Sequence, residues 1–256
     1  MFGSAAVESP WFRRFSPSDS APARVVFFPH AGGAASFFVD YATALAPHAD
    51  VLAVQYPGRQ NRFAEPGIDS VAELAECVYR ELRAWADRPL TFFGHSLGSA
   101  VCFEVARRFA RDGVAGPEHL FVSAGRAPSE PRDTEMHLMS DDGLLAEIGR
   151  LGGTDERLLA DPELRPLILP ALRADYTAIE RYRCAPDATV PQPITALVGD
   201  TDDRATIAQV RPWAGHTTGG FYLRVFPGGH FYLTEQAPAV LDLLVAHLTG
   251  RSGSGW

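Results

Sequence analysis

Short apolar segments alternate with amphipathic helical patterns along almost the whole chain of 256 residues. The apolar segments are rich in β-branched and aromatic residues and cover positions 24–28, 50–54, 90–93, 119–123, 194–198 and 221–226. Near-continuous apolar strands of this kind are typical of a sheet that is buried on both faces. The alternation of strand and helix therefore predicts an α/β fold, with a mostly parallel central sheet flanked by helices.

One long stretch interrupts the alternation. Between Ala127 and Val190 the sequence shows helical patterns, at 144–151 and 164–182, and no convincing strand. An insertion of this size between two strands predicts a helical lid over the carboxyl-terminal edge of the sheet, where α/β sheets bind ligands. We expect one domain over residues 1–256, with a core of about 23–126 and 191–250 and a helical lid over 127–190.

Composition and charge exclude several classes of function. The net charge is −8 and all 23 basic residues are arginine, which argues against nucleic acid as a partner and excludes a lysine-based mechanism. The three cysteines are scattered without a CxxC pair, so we expect no disulfide framework and no zinc site, with buried structural thiols at Cys77 and Cys102. We expect no other metal and no cofactor. Without a signal sequence or an apolar run of about 20 residues, we expect a cytoplasmic protein with no membrane partner.

The pentapeptide Gly94-His95-Ser96-Leu97-Gly98 matches the G-x-S-x-G pattern. It lies between the predicted strand 90–93 and a helical pattern that begins at Leu97, which is the context that a nucleophile elbow requires. The pattern therefore predicts an α/β-hydrolase fold with Ser96 as the nucleophile, and we interpret His95 as a structural neighbour. A helix amino terminus at this position favours an oxyanion.

A serine hydroxyl needs an adjacent base to act as a nucleophile at neutral pH. In this fold the chain order is serine, acid, histidine, and His230 follows the last predicted strand in a Pro-Gly-Gly-His segment. His216 precedes that strand and His247 lies in the final predicted helix, so both are weaker candidates. We predict that His230 is the general base.

The acid is expected in the loop after the strand 194–198, which reads Gly-Asp-Thr-Asp-Asp from Gly199. In many hydrolases of this fold the acid follows that glycine by three positions, which favours Asp202 and leaves Asp200 as the alternative. The acid would hold the tautomer of the imidazole and stabilise the imidazolium. The loop after the preceding strand reads Ser123-Ala124-Gly125 and offers no carboxylate.

Two backbone N–H groups are expected to form an oxyanion hole. One is the N–H of Leu97, directly after the nucleophile, and the other should come from the loop after the first predicted strand. That loop is the glycine-rich segment 29–33, and we choose the N–H of Ala31.

Five segments together resemble the type II thioesterases, the discrete editing enzymes of polyketide and nonribosomal peptide assembly lines. They are FFPHAGG at 27–33, YPGRQNR at 56–62, GHSLGS at 94–99, GDTDD at 199–203 and PGGHFYL at 227–233. The resemblance implies hydrolysis of acyl groups from the phosphopantetheine arm of an acyl or peptidyl carrier protein. It supports Ser96, His230 and Asp202 as the triad, with Ala31 and Leu97 as oxyanion donors. Leu97 replaces the methionine that the family often has.

Other interpretations stay open at this point. A carboxylesterase or lipase acting on oxygen esters would use the same triad, a medium-chain thioesterase would prefer long acyl chains, and a noncatalytic binding protein would usually lack a triad member. The resemblance offers four arginines as carrier-protein contacts, although each taken singly fits a solvated surface position: Arg59, Arg62, Arg126 and Arg132. Met136, Leu138 and Met139 are candidates for a pocket lining, but helix packing explains them better. We expect a monomer.

Overall fold

The computed structural model describes residues 9–153, 161, 163–185 and 187–250. The two chain ends at 1–8 and 251–256, and positions 154–160, 162 and 186 of the predicted lid, lie outside the described residues. None of the helices in the described ranges is long and apolar enough to cross a membrane.

The described residues form a sheet of seven strands in the order β1-β3-β2-β4-β5-β6-β7. The strands are β1 Phe12–Arg13, β2 Arg24–Phe28, β3 Asp50–Val54, β4 Leu90–His95, β5 Pro117–Ser123, β6 Ile194–Gly199 and β7 Phe221–Phe226. Strands β2 to β7 pair in parallel, and only the short edge strand β1 pairs antiparallel, with β3. The sequence-based prediction of an α/β fold with a mostly parallel sheet is confirmed.

The register of the sheet brings the functional segments to one edge. Phe28 at the end of β2 lies opposite Gly94 of β4, and His95 lies opposite Ser123 at the end of β5. Gly199 at the end of β6 lies opposite Phe226 of β7. Because carboxyl ends of parallel strands share an edge, the segments that follow β2, β4, β6 and β7 meet above the sheet.

Helices cover both faces of the sheet. On one face, α2 Val71–Leu82 and α3 Leu97–Arg111 pack in the larger apolar cluster, with Phe92, Phe103 and Trp213 fully buried. On the other, α1 Val39–Leu45 and the carboxyl-terminal helix α8 Ala237–Leu248 close a second cluster around Phe27 and Phe93. Two apolar faces explain why β2 and β3 are buried along their whole length. Two further short helices are α6 Ile207–Val210 and α7 Tyr232–Glu235.

The chain between β5 and β6 carries two longer helices, α4 Asp141–Leu151 and α5 Arg165–Arg181. We call α4 and α5 the inserted helices. They pack on each other and on a short 3-10 turn, Met136–Leu138, through their own apolar cluster, which includes Leu144, Ile148 and Leu172. Ser140 caps α4 by accepting a hydrogen bond from the N–H of Gly143. The inserted helices therefore share an apolar cluster of their own, while Ala178 of α5 packs in the cluster of the sheet.

Candidate active site

Ser96 occupies a sharp turn between β4 and α3. Its backbone has φ 53° and ψ −114°, and a positive φ is uncommon for a residue with a side chain. The turn is held by the hydrogen bond from the Ser96 N–H to the Ser123 carbonyl (2.8 Å), and the Ser99 hydroxyl donates to Gly94 O (2.8 Å). A Cβ on Gly94 would overlap the backbone of Gly98, so the strand and helix cross too closely for any other residue.

The three residues that the sequence analysis selected lie in one line of hydrogen bonds. His230 Nε2 lies 3.0 Å from Ser96 Oγ, and His230 Nδ1 lies 3.0 Å from Asp202 Oδ2. His230 and Asp202 are buried, whereas the Ser96 side chain is partly open. Because Nδ1 faces a carboxylate, the neutral ring carries its proton there, which leaves Nε2 free to accept the proton of Ser96.

The three carboxylates of the loop after β6 have separate surroundings. Asp202 Oδ1 accepts the backbone N–H groups of Arg204 (2.8 Å) and Ala205 (3.0 Å), which fix the carboxylate toward His230. Asp200 is exposed and accepts the N–H of Gly228 at 2.9 Å, so it braces the loop that carries His230. Asp203 pairs at the surface with Arg150. Of the three, the structure brings Asp202 into contact with His230.

The loop 29–33 follows β2 and lies beside the elbow. In this loop the N–H of Gly33 donates to the His30 carbonyl (2.9 Å) and the N–H of Gly32 donates to Asp175 (2.7 Å). Among the described residues, the N–H of Ala31 donates to no acceptor. An uncommitted N–H is what an oxyanion donor requires, since it must be available to the substrate. We keep Ala31 and Leu97 as the proposed donors.

Two buried histidines surround the triad. Burial, and secondarily a coulombic effect of the nearby His230, lowers the pKa of His30 to about 3 and lowers the pKa of His95 far below its ordinary value. His95 Nδ1 lies 2.9 Å from Ser123 Oγ, and that hydroxyl contacts the Tyr232 hydroxyl at 2.7 Å. The neutral His95 ring therefore supports the elbow, as the sequence analysis expects. His216 bonds the Ala188 carbonyl and Ser129, away from the nucleophile.

A small pocket of about 70 Å³ opens onto Ser96 and His230. Arg126 and Arg132 line it, together with Met136 of the inserted segment. A larger apolar cleft of about 580 Å³ lies beside the loop 29–33, between Phe37 and helix α5. The small pocket therefore gives access to the nucleophile, and residues of both inserted helices line part of it.

Several sequence-based interpretations of individual side chains need correction. Arg59 and Arg62 do not fit the surface interpretation, because both are buried: Arg59 pairs with Asp175, and Arg62 pairs with Glu65. Met136 is buried in the cluster of the inserted helices and lines the small pocket, but two of its neighbours are exposed rather than packed: Leu138 and Met139. Cys102 is buried as expected, whereas Cys77 is only partly buried.

Asp175 is the site residue that the sequence analysis missed. It lies on the apolar side of helix α5, between the cluster residues Leu172 and Ala178, and is fully buried. A carboxylate at a position where the helical pattern places core residues indicates a buried partner, because charged side chains are almost never fully buried unless paired. That partner is Arg59, which is 116 residues away in the sequence.

A parallel sheet with a serine at the elbow after β4, and a histidine and an aspartate on the loops after β7 and β6, places the molecule among the α/β-hydrolases. Solved structures of that fold support this placement, including an enol-lactonase from Burkholderia xenovorans LB400 with a TM-score of 0.74 at 20% identity, which shows the fold alone. The chain belongs to the thioesterase family, because the model of the thioesterase domain matches residues 23–248.

Two named relatives fit this family assignment. Thioesterase PikA5 of Streptomyces venezuelae is 47% identical over 95% of this chain and 87% of its own length. The structure of the type II thioesterase BorB from the borrelidin biosynthetic cluster superposes with a TM-score of 0.86 at 46% identity, and the match covers 93% of this chain and 97% of that one. The resemblance to type II thioesterases is therefore confirmed, and the chain is a thioester hydrolase.

Proposed function

We propose that the chain removes acyl groups from the phosphopantetheine arm of an acyl or peptidyl carrier protein, through an acyl-Ser96 intermediate. The observation that carries the proposal is the line of hydrogen bonds from Ser96 through His230 to Asp202, at 3.0 Å for each contact of the imidazole. Membership of the thioesterase family indicates that the bond cleaved is a thioester. The similarity to BorB, a type II thioesterase from the borrelidin biosynthetic cluster, supports a role in a biosynthetic pathway.

Each proposed step has a group in place. Ser96 Oγ attacks the thioester carbonyl while His230 Nε2 takes its proton, and Asp202 stabilises the imidazolium that forms. The N–H groups of Ala31 and Leu97 receive the developing oxyanion. His230 then gives the proton to the departing thiolate, which leaves as the pantetheine thiol.

The second half of the cycle uses the same groups. Water enters against the acyl carbonyl, His230 removes one of its protons, and the oxyanion forms again in the same hole. Collapse of this intermediate breaks the acyl–Ser96 bond, returns the proton to Ser96 Oγ and releases the carboxylic acid. The triad, the two backbone donors and water account for every bond and proton that changes in the cycle.

The inserted helices complete the proposal as a lid. Helix α5 lines the apolar cleft beside the loop 29–33, which offers an apolar surface for an acyl chain or for the pantetheine arm. We further propose that the enzyme acts as a monomer in the cytoplasm. We also propose that nucleic acid is not a partner, because the net charge of −8 disfavours binding to it.

A direct comparison of thioester and oxygen-ester cleavage tests the proposed chemistry. Acyl-N-acetylcysteamine thioesters and the matching ethyl esters would be offered to the wild type and to Ser96→Ala. We expect a higher kcat/KM for the thioester and no turnover by Ser96→Ala. Equal or faster cleavage of the oxygen ester would favour an esterase, and turnover by Ser96→Ala would remove Ser96 from the mechanism.

A further inference from the structure

A buried carboxylate joins helix α5 to the loop 29–33. Asp175 has no exposed surface and receives three hydrogen bonds: from Gly32 N at 2.7 Å and from the two terminal nitrogens of Arg59 at 2.8 and 2.9 Å. The Arg59 contact is bidentate, the geometry in which an arginine–carboxylate pair is strongest and most directional. The position of α5 is therefore tied directly to the backbone of this loop.

The other donors of Arg59 hold neighbouring backbone. One terminal nitrogen also donates to the Gly33 carbonyl at 3.1 Å, and Nε donates to the Pro57 carbonyl at 3.2 Å. The Gln55 side chain braces the network, since its amide donates to the Arg59 carbonyl (3.1 Å) and its oxygen accepts the Ala35 N–H (2.9 Å). Arg59 thus links the loop 29–33, the segment after β3 and helix α5.

These bonds fix consecutive peptide planes in the loop. The His30 carbonyl accepts the Gly33 N–H, which fixes the direction of that carbonyl. Because a peptide unit is planar and trans, the Ala31 N–H of the same unit must point the opposite way. The next peptide is set by the bond from Gly32 N to Asp175, and the Gly33 carbonyl is set by Arg59. Gly32 itself has φ 74°, a conformation that a glycine adopts without strain.

We propose that Asp175 and Arg59 are positioning residues, which aim the Ala31 N–H at the thioester oxygen and make the oxyanion hole depend on the docking of helix α5. This inference rests on the proposed function of the loop as part of the oxyanion hole. Neither side chain contacts the reacting atoms. A buried ion pair contributes little net stability compared with apolar packing, so the geometry of the loop is where its effect should appear.

The test is Asp175→Asn, which keeps the size of the side chain. The amide oxygen can replace Oδ2, which accepts Gly32 N and one terminal nitrogen of Arg59, but the amide N–H groups then face the other terminal nitrogen. The bidentate contact that orients the network is lost. We expect kcat for a thioester to fall by roughly 10- to 100-fold, below the loss of about 10²- to 10³-fold for a missing oxyanion donor. KM should change by less than about threefold, because the lost interaction acts in the transition state.

A second readout separates positioning from general weakening. A trifluoromethyl ketone thioether forms a hemiketal oxyanion on Ser96, so its affinity should fall by the same factor as kcat/KM. The matching amide analogue, which forms no oxyanion, should bind the wild type and Asp175→Asn equally. Arg59→Lys keeps the charge but cannot form the bidentate contact, and it should give a smaller loss of kcat. This variant provides the test if Asp175→Asn does not fold.

The control is Arg173→Gln, on the same helix. Arg173 binds the carbonyls of His137 and Met139 and pairs with Asp141, all within the inserted segment. It should leave kcat within about twofold. The inference is overturned if folded Asp175→Asn keeps wild-type kcat and ketone affinity, if only KM rises, or if Arg173→Gln lowers kcat equally. Should the wild type cleave oxygen esters instead of thioesters, the proposed function fails, while the ketone affinities still decide the roles of Asp175 and Arg59.

Discussion

Replacing Asp202 by asparagine should reverse the tautomer of His230. The Oδ1 atom of Asp202 accepts two backbone N–H groups, at 2.8 and 3.0 Å, and an asparagine would keep its oxygen there because an amide nitrogen cannot accept them. The amide nitrogen would then occupy the place of Oδ2, 3.0 Å from His230 Nδ1. Nδ1 lies 3.1 Å from Oδ1 as well, but that oxygen already accepts two N–H groups, so we expect Nδ1 to accept the amide N–H. The ring proton would then move to Nε2, which faces Ser96.

With the proton on Nε2, the ring cannot remove the proton of Ser96. The same substitution in another serine hydrolase of known mechanism lowers kcat by about 10⁴-fold, which serves as the reference magnitude. At 1.36 kcal/mol for each factor of ten, a loss of about 10⁴-fold corresponds to roughly 5 kcal/mol of transition-state stabilisation. We expect Asp202→Asn to lose roughly 10³- to 10⁴-fold in kcat for a thioester.

The assay is steady-state release of free thiol from an acyl thioester, with thermal unfolding to verify that each variant is folded. Asp200→Asn is the matched control, because Asp200 is exposed and an asparagine there can still accept the Gly228 N–H. It should retain kcat within a few-fold. If Asp202→Asn kept more than a tenth of wild-type kcat, or if Asp200→Asn lost more than Asp202→Asn, the tautomer argument would be refuted.

Three further predictions concern stability. Burial lowers the pKa of His119 to about 3, whereas a histidine in the unfolded chain has a pKa of about 6.5, so the unfolded state binds more protons as the pH falls. The free energy of unfolding should therefore fall by about 2 kcal/mol between pH 7 and pH 5 because of this group. Urea titrations of His119→Gln should show a weaker dependence of that free energy on pH. Gly98→Ala would drive its Cβ into the Phe28 carbonyl oxygen, so we expect at least about 1–3 kcal/mol of destabilisation by urea unfolding, and unchanged stability would contradict the packing. Ser70→Ala removes the cap that accepts the Glu73 N–H and should cost about 1 kcal/mol, whereas Ser70→Gly should cost less.

The sheet and the elbow could be predicted because their signals are local. The predicted strands 24–28, 50–54 and 221–226 have the observed bounds, and the strand 90–93 extends by two residues to His95. Apolar runs, glycine spacing and the serine between strand and helix are all contained in short windows of sequence. Strand β1 was missed because two residues, Phe12–Arg13, carry no periodic pattern.

The Arg59–Asp175 pair could not be predicted, because it depends on partners that are distant in the sequence. Arg59 follows a glycine in a polar loop, which favours exposure, and only the docking of helix α5 buries it. The reverse holds for Leu138, an apolar residue that we expected to pack between helices and that the structure leaves exposed. Local patterns predict elements well, whereas burial between the inserted helices and the core is decided by tertiary packing.

Deacylation of a loaded carrier protein tests the central claim most directly. An acetyl-loaded carrier and a longer-acyl-loaded carrier would each be incubated with the wild type and with Ser96→Ala, and the intact mass of the carrier would be followed. We expect conversion to the free-thiol carrier by the wild type alone, with a chain-length profile that separates editing from chain termination. If the wild type cleaves simple oxygen esters but the carrier keeps its acyl group, the chain is not a carrier-protein thioesterase.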